Sequence, residues 1–170
     1  MPGSSPRLPL LARREIEAKI VGPLIRAFAA ELGEEKTLAL TRGVISDLAR
    51  SSGTELASEL GSATLEAFAD RLDLWSEGGA LEIERIETSA ERLDFNVVRC
   101  RYAEMYRALG MADLGASLSC QRDFALIQGF NAEVRLTRSQ TIMEGAPFCD
   151  FRFRAPAPPA QELASEPDPA

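Results

Sequence analysis

The residues best suited to chemistry lie in the second half of the chain. They combine thiols, carboxylates, a guanidinium, hydroxyls and an amide, and they are Cys100, Tyr102, Glu104, Cys120, Asp123, Asn131, Arg138, Thr141, Glu144, Cys149 and Asp150. The 170 residues include no histidine. This absence excludes the Ser-His-Asp and Cys-His nucleophile systems and histidine-based zinc sites, because each needs an imidazole as a base or a ligand. Any catalysis therefore depends on the other residue types.

The three cysteines differ in what their positions predict. Cys120 and Asp123 are three residues apart in a predicted helix, which places them on one face of it. Cys149 and Asp150 are adjacent on a predicted strand, so they point to opposite faces and do not easily serve one pocket. For Cys100, at the end of another predicted strand, a small buried packing residue is the more natural interpretation. Spacing alone leaves Cys149 open between a reactive thiol and a packing residue.

Composition is that of one ordinary globular domain, with 45% hydrophobic and 26% charged residues. The net charge of -7 argues against nonspecific nucleic-acid binding, which relies on a basic surface. No apolar run reaches membrane-spanning length, and the N-terminal charges are in the wrong order for a signal peptide. We therefore expect a cytoplasmic protein without a membrane partner. An odd number of cysteines without an export signal predicts free thiols or ligands and no disulfide framework.

The first half of the chain has helical periodicity. Residues 14–32 predict an amphipathic helix whose apolar residues we expect to face the core. Those residues are Ile16, Ile20, Leu24, Phe28 and Leu32. A second helix follows Gly33 and is predicted to end before Gly53. Its expected core residues are Leu38, Val44, Ile45 and Leu48. A third helix, interrupted near Gly61, extends to Trp75.

The second half alternates between strand and helix patterns. "ALEIERIET" and "RLDFNVVRC" predict an antiparallel ribbon joined near Ser89. Helices are expected at "RYAEMYRALG", which Gly110 ends, and at "ADLGASLSCQRDFALIQGF". "AEVRLTRSQTIME" and "CDFRFR" predict a terminal hairpin with a five-residue "EGAPF" connection. On that hairpin Arg138 and Thr141 differ by an odd number, so a regular strand would turn them to opposite faces.

These elements predict an α+β fold, with a helical N-terminal half followed by an antiparallel sheet crossed by helices. We expect a flexible N-terminus at residues 1–12 and a single domain at residues 13–154. Within that domain, residues 13–75 form the helical part and residues 80–154 the sheet part with the site. The segment 155–170 is rich in proline, alanine and acidic residues, a composition typical of a disordered tail.

Three segments between about residues 99 and 154 resemble a known family. They are "RCRYAEMYRALG", "LSCQRDFALIQGFN" and "RLTRSQTIMEGAPFCDFRFR", and in this order they are similar to the L-2-amino-thiazoline-4-carboxylic acid hydrolase family. The resemblance implies an enzyme that hydrolyses an aminothiazoline ring to N-carbamoyl-L-cysteine.

The ending "EGAPFCDFRF" is also similar, more distantly, to the end of the vinyl-reductase-like sensor domains. Those are α+β dimers that enclose a small ligand. This likeness implies a fold of that sensor type and a homodimer. It also gives the alternative function, a noncatalytic small-molecule sensor domain with an enclosed pocket.

Some of those sensors hold a structural zinc through four ligands. Cys120 and Cys149 match the first and the last of them, whereas Arg138 and Thr141 stand near the two middle positions, where an acid and a thiol are needed. Two thiolates are too few for a closed tetrahedral site. The resemblance thus implies neither a metal nor another cofactor in this chain.

Opening of the ring requires attack at the amidine-like carbon and then protonation of the departing thiolate. The attacking group is either a cysteine or a water that a carboxylate activates. We expect Cys149 to act as a thiolate whose pKa Arg138 lowers. Asp123 is the expected base or orienter and Cys120 the proton donor. Arg138 is also the bidentate candidate for the substrate carboxylate. The other residues assigned to substrate binding are Thr141, Tyr102, Glu104 and Asn131.

Overall fold

The computed structural model describes residues 8–156. The expected flexible N-terminus and disordered tail fall mostly on residues 1–7 and 157–170, which lie outside the described residues. The helices are α1 (Leu10–Leu32), α2 (Glu34–Leu60), α3 (Leu65–Ala69), α4 (Asp73–Ser76), α5 (Arg101–Ala108), α6 (Ala112–Gly115) and α7 (Arg122–Phe130). The strands are β1 (Leu81–Thr88), β2 (Arg92–Cys100), β3 (Arg135–Thr137) and β4 (Cys149–Arg154).

The helices α1 and α2 are joined by Gly33 alone, which has φ of +85°. The predicted break at Gly53 is wrong, because α2 runs through this residue to Leu60 and ends at Gly61 in the left-handed conformation. Gly53 is buried within the helix. A glycine in a helix interior is costly, so its presence points to a packing requirement.

That requirement is a close crossing of α2 and α7. A Cβ atom at Gly53 would lie 2.0 Å from the carbonyl oxygen of Leu126, and one at Gly129 would lie 1.9 Å from that of Arg50. The hydroxyl of Thr54 donates a hydrogen bond to the carbonyl oxygen of Gly129 at 3.2 Å. The two helices therefore meet backbone to backbone, and the glycines are needed on both sides.

The predicted orientation of α1 is wrong. Its buried residues are Ala18, Gly22 and Ile25, and its five large apolar residues at four-residue spacing are exposed. The prediction for α2 is wrong in part: Ile45 is buried and Leu38 is partly buried, but Val44 and Leu48 are exposed. The residues on the outside are Ile16, Ile20, Leu24, Phe28 and Leu32 of α1 and Leu40, Val44 and Leu48 of α2. We call these eight residues the outer apolar face.

The four strands form one antiparallel sheet in the order β1-β2-β4-β3. The predicted ribbon of β1 and β2 is confirmed. Phe95 on β2 is paired with Phe151 on β4, and their rings stack 4.8 Å apart. Phe153 lies beside them, and Phe68 of α3 packs on it with ring centres 5.5 Å apart. An aromatic core therefore joins one face of the sheet to the short helices.

The predicted terminal hairpin is correct in pairing but not in length. β3 ends at Thr137, so Arg138 and Thr141 do not lie on a strand, and residues 142–144 form a 3-10 turn. Asp150 explains the departure, because its carboxylate accepts hydrogen bonds from the backbone and hydroxyl of Ser139 and from the backbone of Gln140, at 2.7–2.9 Å. These bonds satisfy the backbone N–H groups of Ser139 and Gln140 outside a strand ladder, so the pairing of β3 with β4 ends at Thr137.

The predicted helix near residue 120 exists, with an irregular middle. Residues Ala116–Cys120 form a π-helical turn between α6 and α7. Its mark is a hydrogen bond from the backbone N–H of Gln121 to the carbonyl oxygen of Ala116 at 2.9 Å, five residues back. Such turns contain one residue more than a regular helix and often occur at functional sites.

The structure thus has the predicted α+β class, with a helical N-terminal half and an antiparallel sheet that helices cover. In the part of the chain from residue 8 to residue 156, the helices are too short or too polar to cross a membrane.

Candidate functional site

A small pocket of about 90 Å³ lies where the sheet meets α1, α5 and α7. It brings together residues from six separate segments of the chain. Its reactive or charged side chains include Cys100, Cys120, Cys149, Tyr102, Asp123 and Arg138. We call it the cysteine pocket. A larger groove between α1 and α2 contains no cysteine, so the smaller pocket is the candidate site.

The sheet and its neighbouring turns fix two of the three thiols. Cys149 is the first residue of β4 and pairs with Val97 of β2. Its sulfur accepts a hydrogen bond from the backbone N–H of Ile142 at 3.2 Å. Cys100 ends β2 and caps α5, because its sulfur accepts from the backbone N–H of Ala103 at 3.4 Å. All three cysteines are free thiols.

Arg138 is the best-anchored charge in the cysteine pocket. Its Nη1 donates to Oδ2 of Asp123 at 2.5 Å, and its Nη2 donates to the carbonyl oxygen of Cys120 at 3.1 Å. The guanidinium lies 5.0 Å from the ring centres of both Phe124 and Phe151, a distance typical of cation–π contacts. Only 6% of the Arg138 side chain is exposed. Its position is therefore set by an ion pair, a backbone contact and two rings.

The expected lowering of the Cys149 pKa is wrong. Burial raises the pKa of Cys149, and the opposing effects of the Ile142 N–H and of Arg138 do not compensate for it. Burial also raises the pKa of Cys100 to about 11. For Cys120, burial and the charge of Asp123 raise the pKa well above its ordinary value. All three thiols are therefore protonated at neutral pH in the resting protein.

Asp123 has the properties of a proton acceptor. Burial raises the pKa of this carboxyl group, while the charge of Arg138 and its hydrogen bond act in the opposite direction. A carboxylate with a raised pKa takes a proton more readily near neutral pH than an exposed one does. Cys120 and Asp123 both line the cysteine pocket, in agreement with the prediction that they share a helix face.

Two further arginines line the cysteine pocket and were missed in the sequence. Arg14 of α1 donates to both oxygens of Glu17, at 2.8 and 2.6 Å. Arg122 of α7 donates to Glu17 at 3.2 Å, so this one carboxylate bridges the two guanidinium groups. Burial and the charge of Arg14 lower the pKa of Arg122. In the sequence, the position of Arg122 next to Asp123 was the signal that could have identified it as a site residue. No local pattern connects Arg122 or Asp123 with Arg14 of α1.

Tyr102 lines the cysteine pocket, and its hydroxyl donates to the carbonyl oxygen of Trp75 at 3.3 Å. Three other residues assigned to substrate binding have contacts elsewhere. Glu104 pairs with Arg99 at the surface. The Asn131 amide donates to the carbonyl oxygen of Ala63. Thr141 caps the following 3-10 turn, where its hydroxyl donates to Glu144 at 2.7 Å and accepts from that residue's backbone N–H.

Within residues 8–156, no three residues of the types Cys, Asp and Glu are grouped as a metal site requires. The chemistry of the cysteine pocket is that of thiols, one carboxylate and arginines.

Comparison with known families gives a match over most of the chain. A family model described as L-2-amino-thiazoline-4-carboxylic acid hydrolase matches residues 13–153. The matched region includes α1 except its first three residues, the whole sheet except its last residue, and every reactive residue of the cysteine pocket. A search of the curated proteins found no match.

Proposed function

Since the chain belongs to the L-2-amino-thiazoline-4-carboxylic acid hydrolase family, we propose that it opens the ring of a small cyclic thio-amidine in the cysteine pocket. L-2-amino-thiazoline-4-carboxylate is the example that the family name provides. The observation that carries the proposal is the convergence of Cys149, Cys120, Cys100, Asp123 and Arg138, from separate elements, on one cavity. Thiols, a carboxylate and a guanidinium are the groups that such a reaction needs in a protein without histidine.

The size and charge of the cysteine pocket suit this substrate class. A volume of about 90 Å³ has room for a small ring and excludes large substrates. Arg14, Arg122 and Arg138 line it together with the carboxylate of Asp123, and Glu17 bridges Arg14 and Arg122. Three guanidinium groups against two carboxylates leave a field that favours an anion. Arg138 has the carboxylate of Asp123 to itself, whereas Arg14 and Arg122 share the one carboxylate of Glu17, so we assign the substrate carboxylate to Arg14 and Arg122.

In the proposed first step, the Cys149 sulfur attacks the ring carbon that is bonded to sulfur and to two nitrogens. Asp123 takes the proton of the thiol as the new carbon–sulfur bond forms. The bond from this carbon to the ring sulfur then breaks. The ring sulfur receives a proton and becomes the free thiol of an intermediate that Cys149 holds as an isothiourea. Cys120 is assigned as the group that passes this proton.

In the second step, water attacks the same carbon and the Cys149 sulfur leaves with a proton. The carbon becomes the carbonyl of a urea, so the product is N-carbamoyl-L-cysteine when the substrate is the aminothiazoline carboxylate. Cys149 is preferred as the nucleophile because its sulfur receives a backbone N–H bond from Ile142 and also experiences the charge of Arg138. Both interactions stabilise the thiolate at the moment it forms.

The test is turnover of a panel of cyclic thio-amidines, measured by mass spectrometry, combined with the intact mass of the enzyme during turnover. Ring opening keeps the departing sulfur attached, so the intermediate on Cys149 adds the mass of one whole substrate molecule. Turnover without this adduct, also in rapid-quench samples, points to direct attack by water that Asp123 activates. Binding without any turnover favours the sensor function, and absence of both binding and turnover across the panel contradicts the proposal.

A further inference from the structure

The outer apolar face is too large for the surface of a monomer. Its eight side chains, five on α1 and three on α2, expose 47% to 61% of their area. At about 100 Å² each, they offer on the order of 800 Å², which is above the largest apolar patch of a typical soluble monomer. The same area is close to one partner's share of a standard protein–protein interface.

The residues on this face follow a regular geometry. On α1 they recur every four residues from Ile16 to Leu32, and on α2 they recur every four residues from Leu40 to Leu48. Rows of this spacing form the ridges that interdigitate when two helices pack against each other. Six of the eight also line the groove between α1 and α2, which has a volume of about 660 Å³. The face therefore presents both a depression and protruding side chains.

We propose that the outer apolar face binds a second copy of this chain, so that α1 and α2 of two copies form a four-helix interface. A two-fold dimer requires one patch that is complementary to itself. The face meets this requirement, because Ile16 and Ile20 project beside the groove while the groove can receive apolar side chains of the other copy. Its area is that of a stable dimer, whereas a small molecule would fill the groove and leave Ile16 and Ile20 exposed.

The interface also bears on the candidate site, because α1 belongs to both. Leu10 and Arg14 of α1 line the cysteine pocket, and Glu17, on the next turn, bridges Arg14 and Arg122. Ile16 and Ile20 lie on the outer side of the same helix. A second copy that packs against Ile16 and Ile20 holds α1 in place and with it one wall of the pocket.

The experiment is sedimentation of the full chain over a wide concentration range, with wild type compared with Leu24→Glu and Val44→Glu. Each variant places one charge at the centre of the face, on a different helix. We expect a dimer for wild type and a dissociation constant raised at least about a hundredfold in both variants, because an unpaired charge would be buried. Helix content, measured by circular dichroism, should stay unchanged since both positions are exposed in the single chain.

Ile86→Glu is the matched control, because Ile86 is 58% exposed and lies on β1, away from the outer apolar face. It should remain a dimer. Hydrogen exchange of wild type at high and low concentration provides a second measurement that needs no variant, with protection expected within residues 16–48 of the concentrated sample. The proposal would be overturned if wild type stays monomeric or if Leu24→Glu and Val44→Glu remain dimers. Concentration-dependent protection elsewhere in the chain, or a monomer that carries an apolar molecule in the groove, would also overturn it.

Discussion

The carboxylate of Asp123 and the guanidinium of Arg138 form an ion pair inside the cysteine pocket, with 2.5 Å between Oδ2 and Nη1. This pair is the reason why the roles we propose for the two residues differ from those expected from the sequence. In the proposed reaction Arg138 orients a carboxylate of the protein, and Asp123 keeps Oδ1 for proton transfer. Removal of either partner leaves the other charge buried without its counterpart, which is more costly than loss of an exposed pair.

The nucleophile is tested by changing the three cysteines to serine one at a time. Cys149→Ser should lower turnover by at least about a hundredfold while the protein still folds, because a serine hydroxyl is a far poorer nucleophile at the same place. Cys100→Ser should retain most of the activity, since Cys100 caps α5 and has no step in the reaction. Turnover and thermal unfolding are measured for all three variants under one set of conditions. Near-normal turnover of Cys149→Ser together with loss in Cys120→Ser would move the nucleophile to the π-helical turn.

Arg138→Lys should lower both kcat and stability. A lysine retains the charge but loses the second hydrogen bond, to the Cys120 carbonyl, and the stacking on Phe124 and Phe151. We expect the free energy of unfolding to fall by about 1–3 kcal/mol, because a buried hydrogen-bonded group loses its partners. Steady-state kinetics and chemical denaturation measure the two effects.

Arg122→Gln is the counterpart to this variant and should act mainly on KM. Arg122 is assigned to the substrate carboxylate, so its loss weakens binding by about tenfold or more, with a smaller change in kcat. The assignments of the two arginines are reversed if Arg138→Lys raises only KM while Arg122→Gln lowers only kcat.

The buried thiols predict a loss of stability at high pH. Burial raises the pKa of Cys100 from its ordinary value of 9.0 to about 11, so above pH 9 the unfolded chain releases a proton that the folded protein retains. The stabilising effect is complete below pH 9 and is lost as the pH rises through 11, with a magnitude of up to about 2 kcal/mol. The measurement is the difference in unfolding free energy between wild type and Cys100→Ser across this range. Parallel pH profiles for the two proteins would contradict it.

Two glycines of α2 provide a stability test with its own control. Gly53→Ala should lower the free energy of unfolding by about 3 kcal/mol or more, because the new methyl group meets the Leu126 carbonyl oxygen. Gly43→Ala in the same helix has nothing within 4 Å, and it should raise stability by about 0.5–1 kcal/mol through helix propensity. Chemical denaturation of both variants measures the difference. Similar effects of the two substitutions would show that α2 and α7 can move apart enough to accommodate a methyl group at residue 53.

Local patterns were sufficient for several elements. The alternation in "ALEIERIET" and "RLDFNVVRC" predicted β1 and β2 correctly, and Gly110 follows α5 with φ of +67° as expected. The three-residue spacing of Cys120 and Asp123 placed both at one pocket. In each of these cases the determining contacts lie within a few residues, so the sequence contains the information directly.

The failures concern contacts between distant segments. Periodicity identified α1 but not which side of it faces the core. Ile16 and Phe28 are exposed, and small residues such as Gly22 face the core instead. The carboxylate of Asp150 accepts hydrogen bonds from the backbone of Ser139 and Gln140 in place of a strand partner, an effect that strand periodicity does not contain. Likewise, the raised pKa of Cys149 comes from burial, which is a property of the folded chain.

The π-helical turn Ala116–Cys120 has a consequence for relatives of this protein. One residue corresponds to about 100° of rotation around a helix. The turn absorbs its extra residue by widening, so deletion of that residue would restore a regular helix with little change in the relative orientation of the segments on its two sides. Deletion of a residue from α7 before Gly129 would instead rotate the turn by about that angle. Because the close crossing with α2 fixes α7 at Gly129, α6 and the start of the turn would have to move. Relatives that share the site should therefore conserve the number of residues between Cys120 and Gly129, whereas the π-helical turn itself can lose one residue.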